Sequence, residues 1–226
     1  MIKVVLFDKE SKPILEIIDL CKSFEAVCAI DHLSLSVQPG EIVGILGPGG
    51  AGKTILFELL SGKAAPTSGI IKVTGRDVWR KSKRALWLVG AVPTSQRDLN
   101  IAGEDSTARE HLQFHTELLG VLSLKYPQRI STTLEVVRLA AYEHIRVRAF
   151  SAEMKRRLAF ARALLHDPPL VVVDEPTAGV AIHDRQIIWN LLRSLREAGK
   201  TVVLTTPSWE EALAVCDRVA LLTYGW

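Results

Sequence analysis

The sequence predicts an α/β fold in which a sheet core carries an inserted helical subdomain. Two continuous apolar runs, residues 42–46 and 170–173, have the pattern of strands that are buried on both faces of a parallel sheet. Between them, residues 107–165 place apolar side chains at the i, i+3, i+4 spacing of helices. Strand and helix alternate on both sides of this stretch, which indicates one sheet domain interrupted by a helical segment.

The individual elements follow from periodicity and turn signals along the chain. Strands are predicted at residues 14–18, 33–37, 42–46, 70–73, 86–92, 170–173 and 201–205. Helices are predicted at residues 55–60, 107–119, 131–143, 151–165 and 185–198, and a last helix is predicted to begin at residue 209. We therefore expect a single domain, residues 1–226, with an α/β core of residues 1–95 and 166–226 and a helical subdomain of residues 96–165.

Composition and charge exclude several classes of protein. Hydrophobic residues make up 48% of the chain and charged residues 23%, which is typical of a globular domain, and no stretch approaches the roughly 18 apolar residues of a membrane span. The basic clusters at residues 80–84 and 155–157 lack interleaved aromatic residues, so we interpret them as solvated surface and expect no nucleic-acid partner. Three cysteines without CxxC spacing argue against a disulfide framework or a structural zinc site. We expect the chain to stay in the cytoplasm.

The segment after the first apolar strand matches the pattern G-x-x-x-x-G-K-[ST] at every fixed position. Its residues are Gly47, Pro48, Gly49, Gly50, Ala51, Gly52, Lys53 and Thr54. Small residues let successive backbone N–H groups surround the β- and γ-phosphates of a nucleotide at a helix N-terminus. Lys53 is expected to contact the phosphates during catalysis, and the Thr54 hydroxyl is expected to bind Mg²⁺. The alternative is a glycine-rich turn that happens to carry Lys-Thr; the flanking strand and helix favour a P-loop NTPase that binds ATP.

A second acidic element follows the strand at residues 170–173. Asp174 is positioned to hold Mg²⁺, and the adjacent Glu175 can orient or deprotonate an attacking water. On its own, an Asp-Glu pair after a strand could equally be a helix-capping turn. Together with the phosphate loop, the pair predicts a metal site and a catalytic base.

Three ordered blocks of the chain resemble the ABC transporter ATPase family, and in particular the drug-resistance and nodulation-factor export group of ATP-binding subunits. The blocks are AIDHLSLSVQPGEIVGILGPGGAGKT, MKRRLAFARALLHDPPLVVVDEPTAG and TVVLTTPSWEEALAVCDRVALL, and the resemblance extends from about residue 14 to residue 222. It implies a RecA-like P-loop core with an antiparallel β subdomain. It also implies two partners: a second ATPase subunit, with which two ATP molecules are clamped, and an integral membrane permease. The chain would then lie peripherally on the inner face of the cell membrane.

Two further site residues are implied by the same resemblance. An aromatic residue ahead of the second strand stacks on adenine in that family, and Phe24 has the matching position; the alternative is a core phenylalanine. Ser151 begins the signature segment, which contacts the nucleotide held by the partner subunit.

This chain departs from the family pattern at four positions that act across the dimer or control hydrolysis. Glu153 replaces a signature glycine, so it either repels the partner's γ-phosphate or turns outward in a helix capped by Ser151. The switch histidine is replaced by Pro207, and an aspartate that bridges the subunits is replaced by Ala181. The expected glutamine sits two places late, as Gln96, which can substitute if its loop bends.

Two explanations fit this combination. The chain is either an enzyme subunit with slow or asymmetric turnover, completed by a more regular partner, or an ATP-binding module with little or no hydrolysis. The retained Glu175 favours the enzyme, because the base is easily lost once hydrolysis has no role. A translation or DNA-repair ATPase is disfavoured, because such proteins carry two cassettes or long coiled-coil insertions.

His111 and His115 lie four residues apart on a predicted helix, a spacing that zinc ligands also use. Leu112 occupies the position where a zinc protease has glutamate. We therefore interpret both histidines as helix-surface residues.

Overall fold

The computed structural model of the protein describes residues 12–25, 27–79, 87–94, 103–118 and 126–223. The strands are β1 (Leu15–Phe24), β2 (Val27–Val37), β3 (Ile42–Leu46), β4 (Ser68–Val73), β5 (Arg76–Asp77), β6 (Val89–Val92), β7 (Leu170–Asp174), β8 (Thr201–Thr206) and β9 (Arg218–Leu221). The α-helices are α1 (Lys53–Leu60), α2 (Ala108–Leu118), α3 (Tyr126–Val136), α4 (Ala152–Leu164), α5 (Arg185–Glu197) and α6 (Trp209–Val215).

A five-stranded parallel sheet forms the core, with the order β6-β7-β8-β3-β9. Every residue of β3, β7 and β8 is buried, and the continuous apolar sequences of β3 and β7 predicted this for those two strands. Because the strands are parallel, the carboxyl ends of β3, β7 and β8 lie side by side at one edge, where α/β folds bind ligands. The predicted α/β P-loop fold is confirmed.

A four-stranded antiparallel sheet, with the order β2-β1-β4-β5, packs over this core. Its inner side chains share one hydrophobic cluster with α1 and with β3, as Ile17, Leu56 and Val43 illustrate. The predictions of strands at residues 14–18 and 33–37 were each too short. Register shifts in the pairing of β1 with β2 break the polar–apolar alternation, which is why the rest of both strands has no period-two pattern.

Helices α2, α3 and α4 lie between β6 and β7 in the chain. The predicted helix at residues 131–143 was displaced: α3 ends at Val136, and a 3₁₀ turn at Ala140–Tyr142 follows it. Arg138 has a left-handed backbone (φ 56°), and the N–H of Leu139 donates back to the carbonyl of Leu134 at 2.7 Å. This hydrogen bond terminates the helix. The division into a core of residues 1–95 and 166–226 and a subdomain of residues 96–165 stays a prediction.

Candidate nucleotide-binding site

The glycine-rich loop, residues 47–52, connects the carboxyl end of β3 to the amino end of α1. Gly47 is required by close packing, since a Cβ there would lie 2.3 Å from the carbonyl oxygen of Leu222. Gly52 has φ +94°, and its Cβ would lie 2.6 Å from the carbonyl oxygen of Ala29. At Gly49 and Gly50, by contrast, a Cβ would meet nothing within 4 Å, so the loop is open on the side away from the sheet. Ala51 is buried and Pro48 is exposed.

Lys53 is the buried cation of this loop. Its Nζ donates to the carbonyl oxygens of Gly47 and Pro48, each at 2.8 Å, so the side chain links the start of α1 to the first two residues of the loop. The first turn of α1 contains no acidic residue that would cancel the positive end of the helix. The loop therefore combines a cation, a helix N-terminus and accessible backbone, which is the arrangement that binds a polyphosphate.

Asp174 lies at the end of β7 and is surrounded by threonine hydroxyls. Its Oδ2 accepts from Thr94 at 2.5 Å and from Thr54 at 3.3 Å, and its Oδ1 accepts from Thr205. The carboxylate is only 2% exposed. A carboxylate among hydroxyl oxygens is a donor set that fits Mg²⁺, which prefers oxygen ligands. The two residues predicted as metal ligands, Thr54 and Asp174, are thus in direct contact.

Glu175 follows Asp174 and is half-buried with a left-handed backbone (φ 45°). Its N–H donates to the carbonyl of Thr205 at 3.0 Å. Burial, and then the charge of Asp174, raises the pKa of the Glu175 carboxyl. A strained, partly desolvated carboxylate with a raised pKa is suited to accept a proton near the loop.

Arg156 of α4 connects two segments of the chain at this edge of the sheet, and the sequence analysis did not identify it as a site residue. The side chain is 1% exposed, although residues 155–157 were interpreted as solvated surface. Its guanidinium donates to four carbonyls, those of Pro93, Asp174, Glu175 and Pro176. Burial lowers the pKa of Arg156 to about 10, so it remains charged near neutrality. Its spacing from the apolar Ala159, Phe160 and Ala163 on the same helix was the signal that could have revealed it.

Thr94 is the second residue that the sequence did not reveal. It occupies the position directly after Val-Pro, where the resemblance leads one to expect glutamine, and its hydroxyl also donates to the Asp174 carbonyl at 3.1 Å. Gln96, predicted as its late replacement, lies outside the described residues.

Phe24 lies at the end of β1 and is 46% exposed, so the alternative of a core phenylalanine is wrong. The ammonium of Lys22 lies 4.7 Å from the centroid of its ring and donates to the carbonyl of Ala65 at 2.8 Å. An exposed aromatic ring is available for stacking on a base.

The signature segment forms the first turn of α4. Ser151 caps this helix, since its Oγ accepts from the N–H of Met154 at 3.1 Å. Glu153 does not turn outward: it is 6% exposed and forms an ion pair with Arg157 on the next turn. Arg157 also donates to the carbonyl of Arg138 at 2.7 Å. The additional negative charge is therefore neutralised within the helical segment.

Two of the other departures, Pro207 and Ala181, are exposed residues. Pro207 follows β8, and Ala181 precedes a 3₁₀ turn at Ile182–Asp184. Beside Pro207, the buried Glu211 accepts from the Thr206 hydroxyl at 2.7 Å and from the Trp189 ring N–H at 3.2 Å. The loop after β8 is thus anchored without a histidine.

His111 is 2% exposed, so its interpretation as a helix-surface residue was wrong. Among the helices of the described ranges, none combines the length and apolar character needed to cross a membrane.

The comparisons of this chain with known proteins agree with one another. Residues 30–178 match the family described as ABC transporter. The Nod factor export ATP-binding protein I of Rhizobium sp. (strain N33) is 39% identical over 95% of this chain and 69% of its own length. The protein of that name from Rhizobium etli is 42% identical over 92% of this chain and 64% of its own length. The chain thus spans about two thirds of these relatives.

Solved structures share the fold. The ADP conformation of MJ1267, an ATP-binding cassette of an ABC transporter, superposes with a TM-score of 0.84 over 95% of this chain and 89% of that chain, at 22% identity. The cbiO1 protein from Clostridium perfringens, part of the ABC transporter complex cbiONQ, gives a TM-score of 0.84 over 95% of this chain and 86% of its own, also at 22% identity.

Proposed function

Since the chain belongs to the ABC transporter family, we propose that it is an ATP-binding subunit that binds and hydrolyses Mg-ATP as half of a nucleotide-clamping dimer. The observation that carries this proposal is the contact between Thr54, at the end of the phosphate loop, and Asp174, at the end of the neighbouring acidic strand. In this arrangement a polyphosphate on the loop lies next to a buried carboxylate.

Binding would use the loop, the metal-binding oxygens and Phe24. Lys53 would exchange its two carbonyl acceptors in the loop for phosphate oxygens, which offer stronger charge-assisted hydrogen bonds. Thr54 and Asp174 would hold Mg²⁺, which neutralises charge on the β- and γ-phosphates when bound. The exposed ring of Phe24 would stack on adenine.

Hydrolysis would use Glu175 as the base that orients the attacking water and accepts its proton. Its raised pKa and its half-buried position support this role. Arg156 would act as a positioning residue, because it holds the backbone carbonyls of Asp174 and Glu175 from the helix that begins with the signature segment.

Turnover would be slow or asymmetric between the two sites of the dimer. Pro207 offers no side-chain hydrogen bond to a γ-phosphate, and Ala181 offers none to a partner subunit. Glu153 is paired with Arg157, so Ser151 and the backbone around it can still face a nucleotide held by the partner. A more regular second subunit would complete this arrangement.

A second candidate function is an ATP-binding module with little or no hydrolysis. Pro207 and Ala181 favour it, because both remove groups that act after binding while leaving the loop intact. The raised pKa and the half-buried position of Glu175 give the enzyme the stronger support.

The coupled transport would be export through a separate membrane permease. The names of the export ATP-binding relatives support this direction. The chain would then work in the cytoplasm, peripherally on the inner face of the membrane, and no nucleic acid would be involved.

Phosphate release from Mg-ATP tests the proposal. We expect slow, Mg²⁺-dependent release that Glu175→Gln abolishes and that Glu197→Gln, at an exposed position on α5, leaves unchanged. Tight ATP binding without release by the unmodified chain, alone and with its partner subunit, would support the binding module instead. Release that persists in Glu175→Gln would contradict the assigned base.

A further inference from the structure

A group of metal-ligand side chains lies outside the nucleotide site, on the antiparallel sheet. One ligand atom each from Cys21, Asp31 and His32 lies within 4.8 Å of the other two. Cys21 belongs to β1 and the other two belong to β2. Pairing of Leu20 with Leu33 and of Lys22 with Ile30 brings these positions together. Strand pairing, not sequence spacing, brings the three residues together, so their spacing resembles no zinc-binding motif.

The backbone is irregular where the group forms. The pairing of β1 with β2 shifts register between Leu20 and Lys22, and both Asp19 and His32 have left-handed backbones, with φ of 50° and 46°. Such conformations are uncommon outside glycine. Asp31 and His32 are adjacent in the chain and would point to opposite faces of a regular strand, so the irregularity is what allows both to approach Cys21.

Hydrogen bonds orient two of the three ligands. Nδ1 of His32 lies 2.6 Å from Oδ1 of Asp19, an exposed acceptor that holds the proton on Nδ1 and leaves the lone pair of Nε2 available. That Nε2 lies 3.7 Å from Oδ1 of Asp31. The backbone N–H of His32 donates to the Cys21 sulfur at 3.3 Å, which holds the sulfur beside His32.

All three ligand atoms lie within 4.8 Å of one another, which is close enough for side-chain rotations to bring them onto one small ion. Bonds of about 2.0–2.3 Å in a tetrahedral site place the ligand atoms about 3.3–3.6 Å apart. The nitrogen–oxygen pair of His32 and Asp31 lies 3.7 Å apart, a few tenths of an ångström more than the roughly 3.3–3.4 Å that a tetrahedral ion requires of such a pair. A thiolate, an imidazole and a carboxylate together favour Zn²⁺ over Mg²⁺, which binds oxygen ligands.

We propose that Cys21, Asp31 and His32 form a binding site for Zn²⁺ or a similar divalent transition-metal ion, with water as the fourth ligand. Asp19 is the outer partner that fixes the orientation of His32. The ion joins β1 to β2 at their irregular segment. The site differs in ligands and position from the Mg²⁺ site at Asp174, and it does not depend on nucleotide.

Zinc titration of the full chain by calorimetry, without nucleotide and with excess Mg²⁺, tests this site. We expect one equivalent of Zn²⁺ to bind, and Co²⁺ to give the absorption band of a thiolate ligand. Cys21→Ser is expected to remove that band and to weaken Zn²⁺ binding more than tenfold. His32→Asn is expected to weaken binding similarly, because asparagine tolerates the left-handed backbone and leaves folding intact.

The chain offers matched controls. Cys28→Ser changes an exposed cysteine of the same strand pair, and His183→Gln changes an exposed histidine that lies beside Asp184 without a thiol. Both controls, and Lys53→Ala, are expected to bind Zn²⁺ as the unmodified chain does. An unmodified chain that binds no Zn²⁺, or a loss in Cys28→Ser as large as that in Cys21→Ser, overturns the proposal. Lys53→Ala is expected to impair nucleotide binding alone. A failure of the proposed zinc site can therefore be distinguished from a failure of the proposed nucleotide site.

Discussion

Replacement of the buried Arg156 by methionine is expected to destabilise the protein severely. The guanidinium donates to four carbonyls on two segments of the chain: Pro93, and the run Asp174, Glu175 and Pro176. Methionine fills a similar volume but donates nothing, so these carbonyls lose a charged partner. Hydrogen bonds to charged groups contribute about 1.5–3 kcal/mol each, and their effects are not additive. We expect the free energy of unfolding to fall by about 4 kcal/mol, with little change in the m-value.

Urea denaturation measures this loss, and the preceding residue provides the control. Lys155 forms an ion pair with Glu104 at 2.9 Å near the surface, so Lys155→Met is expected to cost less than about 1 kcal/mol. Arg156→Lys keeps the charge but loses the planar fork, and we expect an intermediate cost of about 2 kcal/mol. If Arg156→Met lowers the unfolding free energy no more than Lys155→Met does, the assignment of Arg156 as the link between α4 and the acidic strand is wrong.

Three further predictions concern the nucleotide site and the helical segment. Thr94→Val removes a donor to Asp174, and we expect the affinity for Mg-ATP to fall about fivefold while the affinity for metal-free ATP is unchanged in calorimetry. Phe24→Ala is expected to lower ATP and ADP affinity by about tenfold in the same titration, and Phe24→Trp is expected to preserve it. Burial, with a smaller contribution from Arg162, lowers the pKa of His111 to about 4. In the unfolded chain His111 takes up a proton near its ordinary pKa of 6.5, whereas in the folded chain it stays neutral until the pH approaches 4. About 3 kcal/mol of stability is therefore lost as pH falls from 6.5 to 4. His111→Phe is expected to reduce this loss in urea melts across that range; an identical pH dependence would contradict the assignment.

Much of the fold could be predicted because its signals are local. Residues 42–46 are apolar throughout, which predicts a strand buried on both faces, and β3 has these bounds. The boundary of α3 could not be predicted in the same way, because its end depends on the left-handed backbone of Arg138. The irregular parts of β1 and β2 were missed for a related reason: a register shift removes the alternation on which strand prediction depends.

Some residues of the candidate site could also be predicted from local sequence, and others could not. The phosphate loop is contiguous, so its residues were found from spacing alone. Thr94 and Arg156 act through contacts with Asp174, which is 80 and 18 residues away, respectively. The cysteine and histidine of the proposed zinc site come together only through the pairing of two strands. Contacts of this kind depend on the folded topology, which sequence spacing alone does not contain.

ATP affinity of Lys53→Ala is the measurement that tests the central claim most directly. Lys53 is the buried cation of the loop, and Lys72 is a partly exposed lysine on the antiparallel sheet that serves as the control. Loss of a charge-assisted contact of about 1.5–3 kcal/mol is expected to weaken ATP binding at least tenfold in Lys53→Ala, with no change in Lys72→Ala. Undiminished ATP affinity in a folded Lys53→Ala protein would contradict the assignment of this loop as the nucleotide site.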